Sequence, residues 1–148
     1  MDRLVILLAS GAYVGYIPVA SGTFGSLLAL PLLVALAGVT WPPAVTVALI
    51  VAASVLAMPV CGRAGRIYGQ ADSSRIVLDE ICGMLIAGAF LPVTFGTLGL
   101  AFLAFRLFDI VKPFPAGHFD RHVKNGFGVV ADDLVAGIYA NLVVRVLT

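Results

Sequence analysis

Long uncharged apolar runs dominate this chain. Lys, Arg, Asp and Glu are all absent from Leu4 to Gly62 and again from Ile81 to Phe105. Breakers cut the runs at Gly15 and Pro18, at Gly38 with Pro42 and Pro43, at Gly62 and Gly65, at Pro92 with Gly96, at Pro113 with Pro115, and at Gly126 with Gly128. The pattern predicts six helices at about 3–15, 23–37, 43–60, 76–91, 97–111 and 129–146. No alternation of polar and apolar positions supports a barrel. A full crossing takes about 20 residues, so several pieces are short: they tilt in a thinned bilayer, or enter and leave from one side. The expected fold is all-α: a polytopic membrane bundle of about six short helices, some half-spanning, in one domain covering residues 1–148.

Composition strengthens the membrane reading. Of the 148 residues, 61% are hydrophobic, with mean hydropathy +1.08, whereas soluble domains run at about 45–50% apolar. A water-soluble chain this small has too little interior to hide that surface. The net charge of +1 says little, but the placement of charge says more. Arg63, Arg66 and Arg75 lie between the two long uncharged stretches, and Lys112, Arg121 and Lys124 lie before the last helix. Under the positive-inside rule both loops face the cytoplasm, with Arg3 and Arg145 as weak opposition. Cys61 and Cys82 have no framework spacing and are expected to be buried, inert thiols. The N-terminal run Leu4 to Ala9 is expected to be a retained helix, since no cleavage site follows it. No nucleic-acid partner is expected, and the oligomeric state is left open.

With the six pieces alternating up and down, loops 16–22, 61–75 and 112–128 share one face. Asp79 and Glu80 then open the fourth helix, Asp109 closes the fifth, and Asp132 with Asp133 opens the sixth, so five carboxylates converge on the basic side. An unpaired acid at lipid depth costs at least about 2.5 kcal/mol, and several together repel unless protons or cations intervene. Hard oxygen ligands without imidazole or thiolate suit Mg²⁺. Arg106 and Lys112 lie three residues on either side of Asp109, and acids mixed with cations suit phosphoryl chemistry. The stretch Ile17 to Ser26 is rich in small residues. There Ser21 or Thr23 can cap a helix whose first N–H groups face an anion, although the Gly-Lys-Ser/Thr ending of a Walker A loop is missing.

Plainer readings compete with each of these. First-turn acids are favoured by the helix dipole alone, by about 0.3–1 kcal/mol, and Arg106 with Asp109 fits a simple ion pair. Arg121 and Lys124 fit anionic headgroups, His118 and His122 fit a loop, and Tyr16, Trp41 and Tyr68 fit interfacial anchors. After Cys61 the C-x5-R spacing of cysteine phosphatases fails by one position, and no D-x-D occurs. Metal-activated water remains the simplest hydrolytic route.

Three blocks resemble the phosphatidylglycerophosphatase A family: Gly22-Thr23-Phe24-Gly25-Ser26; Asp72 followed by Arg75 to Gly83, with Asp79-Glu80 at its centre; and Phe105 to Pro115 followed by Phe119-Asp120-Arg121 and Gly128 to Gly137. The likeness covers nearly the whole chain. One departure is Ser21, where the family commonly has proline. The resemblance implies Mg²⁺-dependent removal of the terminal phosphate from phosphatidylglycerophosphate, giving phosphatidylglycerol, at the bacterial cytoplasmic (inner) membrane. On that reading Asp79, Glu80, Asp132 and Asp133 hold one or two Mg²⁺, and Asp109 completes the shell or orients the water. Arg106 and Lys112 clamp the phosphate with the turn from Thr23 to Ser26, while Arg121, Asp72, His118, Ser74 and Asp120 stand behind them. Two other classes stay open: a small ion or solute transporter using the acids as a cation site, and a structural membrane subunit.

Overall fold

Lipid leaves the backbone no hydrogen-bond partners but its own, and uncharged runs of this length therefore become helices. A computed structural model describing residues 1–148 has seven of them: α1 (Asp2–Ala9), α2 (Ser21–Ala37), α3 (Pro43–Tyr68), α4 (Leu78–Gly88), α5 (Phe95–Val111), α6 (Ala116–His122) and α7 (Gly126–Leu147). A single 3-10 turn lies at Val14–Tyr16, and there is no strand. The expected all-helical fold is the one observed. Two helices, α3 and α7, are long and apolar enough to cross a membrane. The outward surface is apolar, with Val55, Leu56, Leu103, Leu107 and Ile110 all exposed, as befits a surface solvated by hydrocarbon.

Several predicted boundaries need correction. The first helix stops at Ala9 instead of near residue 15, because Gly11, Ala12 and Tyr13 take positive φ values of 55°, 53° and 71°. The third runs on to Tyr68 through both supposed breakers, so most of the expected loop 61–75 is helix. Gly62 and Gly65 serve there as contact points, the first against Gly126 and the second against Ala71; Gly69, at φ 71°, ends the helix. The loop expected at 112–128 holds the short α6. The last helix begins at Gly126, capped by Asn125, whose side-chain oxygen accepts from Gly128 N at 3.1 Å. Asp132 and Asp133 therefore lie in its second turn, and first-turn capping does not explain that pair. Neither Ser21 nor Thr23 caps α2: its cap is Ala20 in the left-handed region, and the Ser21 hydroxyl donates instead to the Ser74 carbonyl at 2.5 Å.

Helix α4 occupies the centre, packed on α7, α2, α3 and α5. Met84 and Leu85 face one apolar core with Ala29, Leu33, Phe105 and Ala136. Cys82 faces another with Ala57, Cys61 and Val130. Small residues set the α4–α7 spacing, since a Cβ on Gly137 would overlap the Gly83 carbonyl and one on Gly83 would overlap the Asp133 carbonyl. Such close approach is how helices gain packing energy when lipid offers no hydrophobic drive.

At 11 residues, α4 is only about 16 Å long and cannot cross a hydrocarbon core of about 30 Å. Its last carbonyls need partners, and α7 provides them. Asn141 Nδ2 donates to the carbonyls of Ile86, Ala87 and Ala89 at 3.1, 3.0 and 2.9 Å. Arg145 adds a bond to Ala89 O at 3.1 Å and one to Asn141 Oδ1 at 2.7 Å. Replacing Asn141 with Leu is expected to cost about 0.6–2 kcal/mol, read as a lower unfolding temperature in detergent. Gly137→Val should lower it further, because its new methyls meet main chain that cannot give way; unchanged melting in either variant contradicts the packing described.

Candidate active site

Because the glycine contact brings α4 and α7 together, the acids of both helices share one pocket. Ligand oxygens of Asp79, Glu80 and Asp133 all lie within 4.8 Å of one another. Asp79 and Asp133 are each 4% exposed, so water cannot disperse their charge. Two buried carboxylate oxygens, Glu80 Oε2 and Asp133 Oδ1, accept no hydrogen bond at all. Asp79 Oδ1 accepts only from the neighbouring Glu80 N, at 3.1 Å. Orphaned buried acceptors are strongly disfavoured unless a proton or cation completes them. An all-oxygen donor set with unused lone pairs fits a hard divalent cation.

The other two acids of the expected five are matched to cations. Asp109 Oδ2 accepts from Arg106 Nη1 at 2.5 Å, on side chains 12% and 19% exposed. Asp132 Oδ2 accepts from Lys112 Nζ at 2.5 Å. The same ammonium reaches Asp120 Oδ1 at 2.9 Å, tying α6 and α7 to the end of α5. Burial opposes charge on Lys112, but Asp132 and Asp120 outweigh it and hold its pKa above the usual range. Likewise burial would raise the Asp120 carboxyl, yet the Lys112 hydrogen bond and charge bring it below its ordinary value. Lys112 is thus a bridge between two acids, and Arg106, whose Nε is buried without a partner, keeps free donor capacity.

Most of the remaining expected residues are engaged elsewhere. Ser26 Oγ is spent on the Gly22 carbonyl at 2.8 Å, and Thr23 makes no side-chain hydrogen bond. His118 stacks on His122 with ring centres 4.5 Å apart, and Arg121 Nε donates to Gly117 O at 3.0 Å. Asp72 is exposed. What the Gly22–Ser26 stretch contributes is closeness: a Cβ at Gly22 would overlap Glu80 Oε1 and come within 3.2 Å of Arg106 Nη1, and one at Gly25 would strike Val77.

Beside Glu80 and Arg106 opens a polar cavity of about 520 Å³, also lined by Tyr16, Ser21, Gly22 and Arg75. Arg75 is a site residue that the sequence reading did not single out. Its guanidinium stands 5.3 Å from the Tyr16 ring centre and 5.5 Å from that of Tyr68. A basic residue four positions before Asp79 was the available signal.

Acids spaced for a cation, arginines beside them and a cavity sized for a headgroup, within a lipid-facing bundle, make this a membrane-associated protein of the lipid phosphatase class. The family model described as Phosphatidylglycerophosphatase A matches residues 7–148, and the chain belongs to that family. Phosphatidylglycerophosphatase A of Haemophilus influenzae is 40% identical over 141 residues, covering 93% of this chain and 85% of that protein. The Escherichia coli K12 protein of the same name is 34% identical over 134 residues, covering 89% and 76%. A putative phosphatidylinositol-3-phosphatase of Bacteroides thetaiotaomicron is 33% identical over 152 residues, covering 97% and 92%. No solved structure matches.

Three like charges in one largely buried pocket predict an inversion of stability. Without divalent cation, Asp133→Asn should melt at a higher temperature than the parent, because one repulsive charge is gone. With millimolar Mg²⁺ the parent should gain stability and the variant much less. Equal stabilisation of both proteins by Mg²⁺ contradicts a cation site at this triad.

Proposed function

We propose that the chain hydrolyses the terminal phosphomonoester of phosphatidylglycerophosphate, with Asp79, Glu80 and Asp133 holding Mg²⁺. The observation that carries this reading is the pair of orphaned oxygens on Glu80 and Asp133 beside an arginine-lined cavity. A divalent ion in that position supplies charge to offset the phosphate oxygens and lowers the pKa of a water nucleophile. Everything else is work for the chain's own residues. Arg106 presents Nε and its remaining N–H groups to the phosphate, and Asp109 fixes the direction of that guanidinium. Asp132 and Lys112 join α7 to the end of α5, keeping the arginine and the acids in one frame. Gly22 leaves the space in which Glu80 and Arg106 stand side by side.

Residues 1–148 act as one domain in this account. The bundle is multi-pass in a bacterial cytoplasmic membrane, with the carboxylate end toward the cytoplasm, as favoured by Arg63, Arg66, Lys112, Arg121 and Lys124 near that end. The acyl chains stay in the leaflet while the headgroup enters the cavity. Both kinds of relative have names that describe the same headgroup chemistry, a phosphomonoester separated by a polyol from a phosphodiester.

The test is phosphate release from phosphatidylglycerophosphate in mixed micelles. Activity is expected to require divalent cation, to vanish with chelator and return with Mg²⁺. Asp79→Asn or Asp133→Asn, folded in detergent, should lose about a hundredfold or more, the scale of removing a main electrostatic element of a site. Full Mg²⁺-dependent turnover by either variant refutes the assignment, and ion flux in liposomes without phosphate release favours a transporter instead.

A further inference from the structure

Arg75 is held in place by more of the fold than a surface arginine needs. The 3-10 turn presses against its main chain so closely that a Cβ on Gly15 would overlap the Arg75 carbonyl. On the preceding residue, the Ser74 carbonyl accepts the Ser21 hydroxyl at 2.5 Å. Its side chain is flanked by Tyr16 and Tyr68, whose hydroxyls lie 3.2 Å apart. The positive φ values at Ala12, Tyr13 and Ala20 bracket the segment that delivers Tyr16. Left-handed backbone at residues other than glycine persists only where the surroundings impose it.

No carboxylate pairs with Arg75, a state it shares with Arg3, Arg66, Arg121, Lys124 and Arg145, and of these six only Arg75 lines the cavity with Arg106. Aromatic flanking orients the guanidinium and leaves N–H groups free for an anion, and a planar fork suits a phosphate's two oxygens. Arg75 is exposed while the Arg106 side chain is 19% exposed, and the two line one cavity. An inner arginine beside the acids and an outer one without a partner make two anion positions at different depths. Phosphatidylglycerophosphate carries two phosphates: the terminal monoester that is cleaved and the diester that leads to the acyl chains.

We propose that Arg75, held by Tyr16 and Tyr68, binds the phosphodiester of the substrate, so that the enzyme selects lipids carrying both a phosphodiester and a phosphomonoester over those with a monoester alone, such as phosphatidic acid. This rests on the reading in which Arg106 and the triad receive the terminal phosphate. Arg75 recognises substrate and takes no part in bond cleavage.

The experiment uses the full chain in mixed micelles with Mg²⁺ and two soluble competitors, deacylated glycerophosphoglycerophosphate and glycerol 3-phosphate. The parent should bind the two-phosphate competitor about tenfold or more tightly than the other, the scale of one hydrogen bond to a charged group. Arg75→Gln should bring that ratio close to one, leave the glycerol 3-phosphate constant unchanged, and raise KM for the lipid with little effect on kcat. Arg75→Lys should keep part of the preference. Stabilisation of thermal unfolding by each competitor supplies a reading independent of turnover. A parent without preference, a preference that survives Arg75→Gln, or equal weakening of both competitors overturns the inference; equal weakening marks Arg75 as a general contact with anionic surfaces. These results leave phosphatase activity standing, whereas a parent that releases no phosphate from the lipid removes the underlying reading itself.

Discussion

Repulsion among three carboxylates, Asp79 and Asp133 buried and Glu80 partly so, imposed by the contact between α4 and α7, is the constraint around which the rest of the molecule is arranged. Gly83 and Gly137 let two backbones meet, and that meeting carries Asp79 and Glu80 to Asp133. Each extra methyl at the seam would separate the helices and relax the repulsion, so packing and electrostatics pull in opposite directions. Burying an unpaired ion costs several kcal/mol even after relaxation. With Glu80 Oε2 and Asp133 Oδ1 unpartnered, the pocket has the donor set of a hard-cation site.

The other ionic contacts show the same division of labour. Arg106 and Lys112 could have neutralised the triad from within, yet each is directed to a separate acid, Asp109 and Asp132. Pairing these two carboxylates keeps the local negative charge from growing to five. It also fixes two cations in place without drawing on the triad's oxygens. Breaking either pair would leave an uncompensated charge at low dielectric, so both pairs hold the frame as well as the field.

The charge pattern alone singled out five carboxylates, because acids at the margins of uncharged helices have few uses, and the fold groups three of them, Asp79, Glu80 and Asp133. It also predicted the helical class, since lipid allows little else. Sequence periodicity failed where glycine had two possible meanings. Gly62 and Gly65 read as breakers but sit inside α3 as contact points, and the stretch from Gly22 read as a helix start facing an anion, whereas Gly22 gives room to Glu80. Gly69 and the positive-φ run at Gly11 to Tyr13 do end helices, and nothing local separates the two cases. Asn141 was invisible as a structural residue because its partners are carbonyls of another helix. Tyr16 and Tyr68 read as interfacial anchors, and their joint hold on Arg75 depends on a contact across 52 residues of chain.

Depth connects the site to its substrate. Helix α7 has 22 residues, about 33 Å at 1.5 Å per residue, enough to cross the hydrocarbon core. Asp133 lies seven residues from its start, or roughly 10 Å along the axis, and Arg145 lies roughly 18 Å further on. The carboxylates are therefore recessed below the end of the span, and Asn141 and Arg145 close α4 toward the opposite end. A phosphate at ordinary headgroup height does not reach such a triad through hydrocarbon, because its desolvation is prohibitive. The polar cavity bounded by Arg75 and Arg106 reaches one of the three acids, Glu80. The turn that follows the eight-residue α1 forms part of that cavity's wall, through Gly15 and Tyr16.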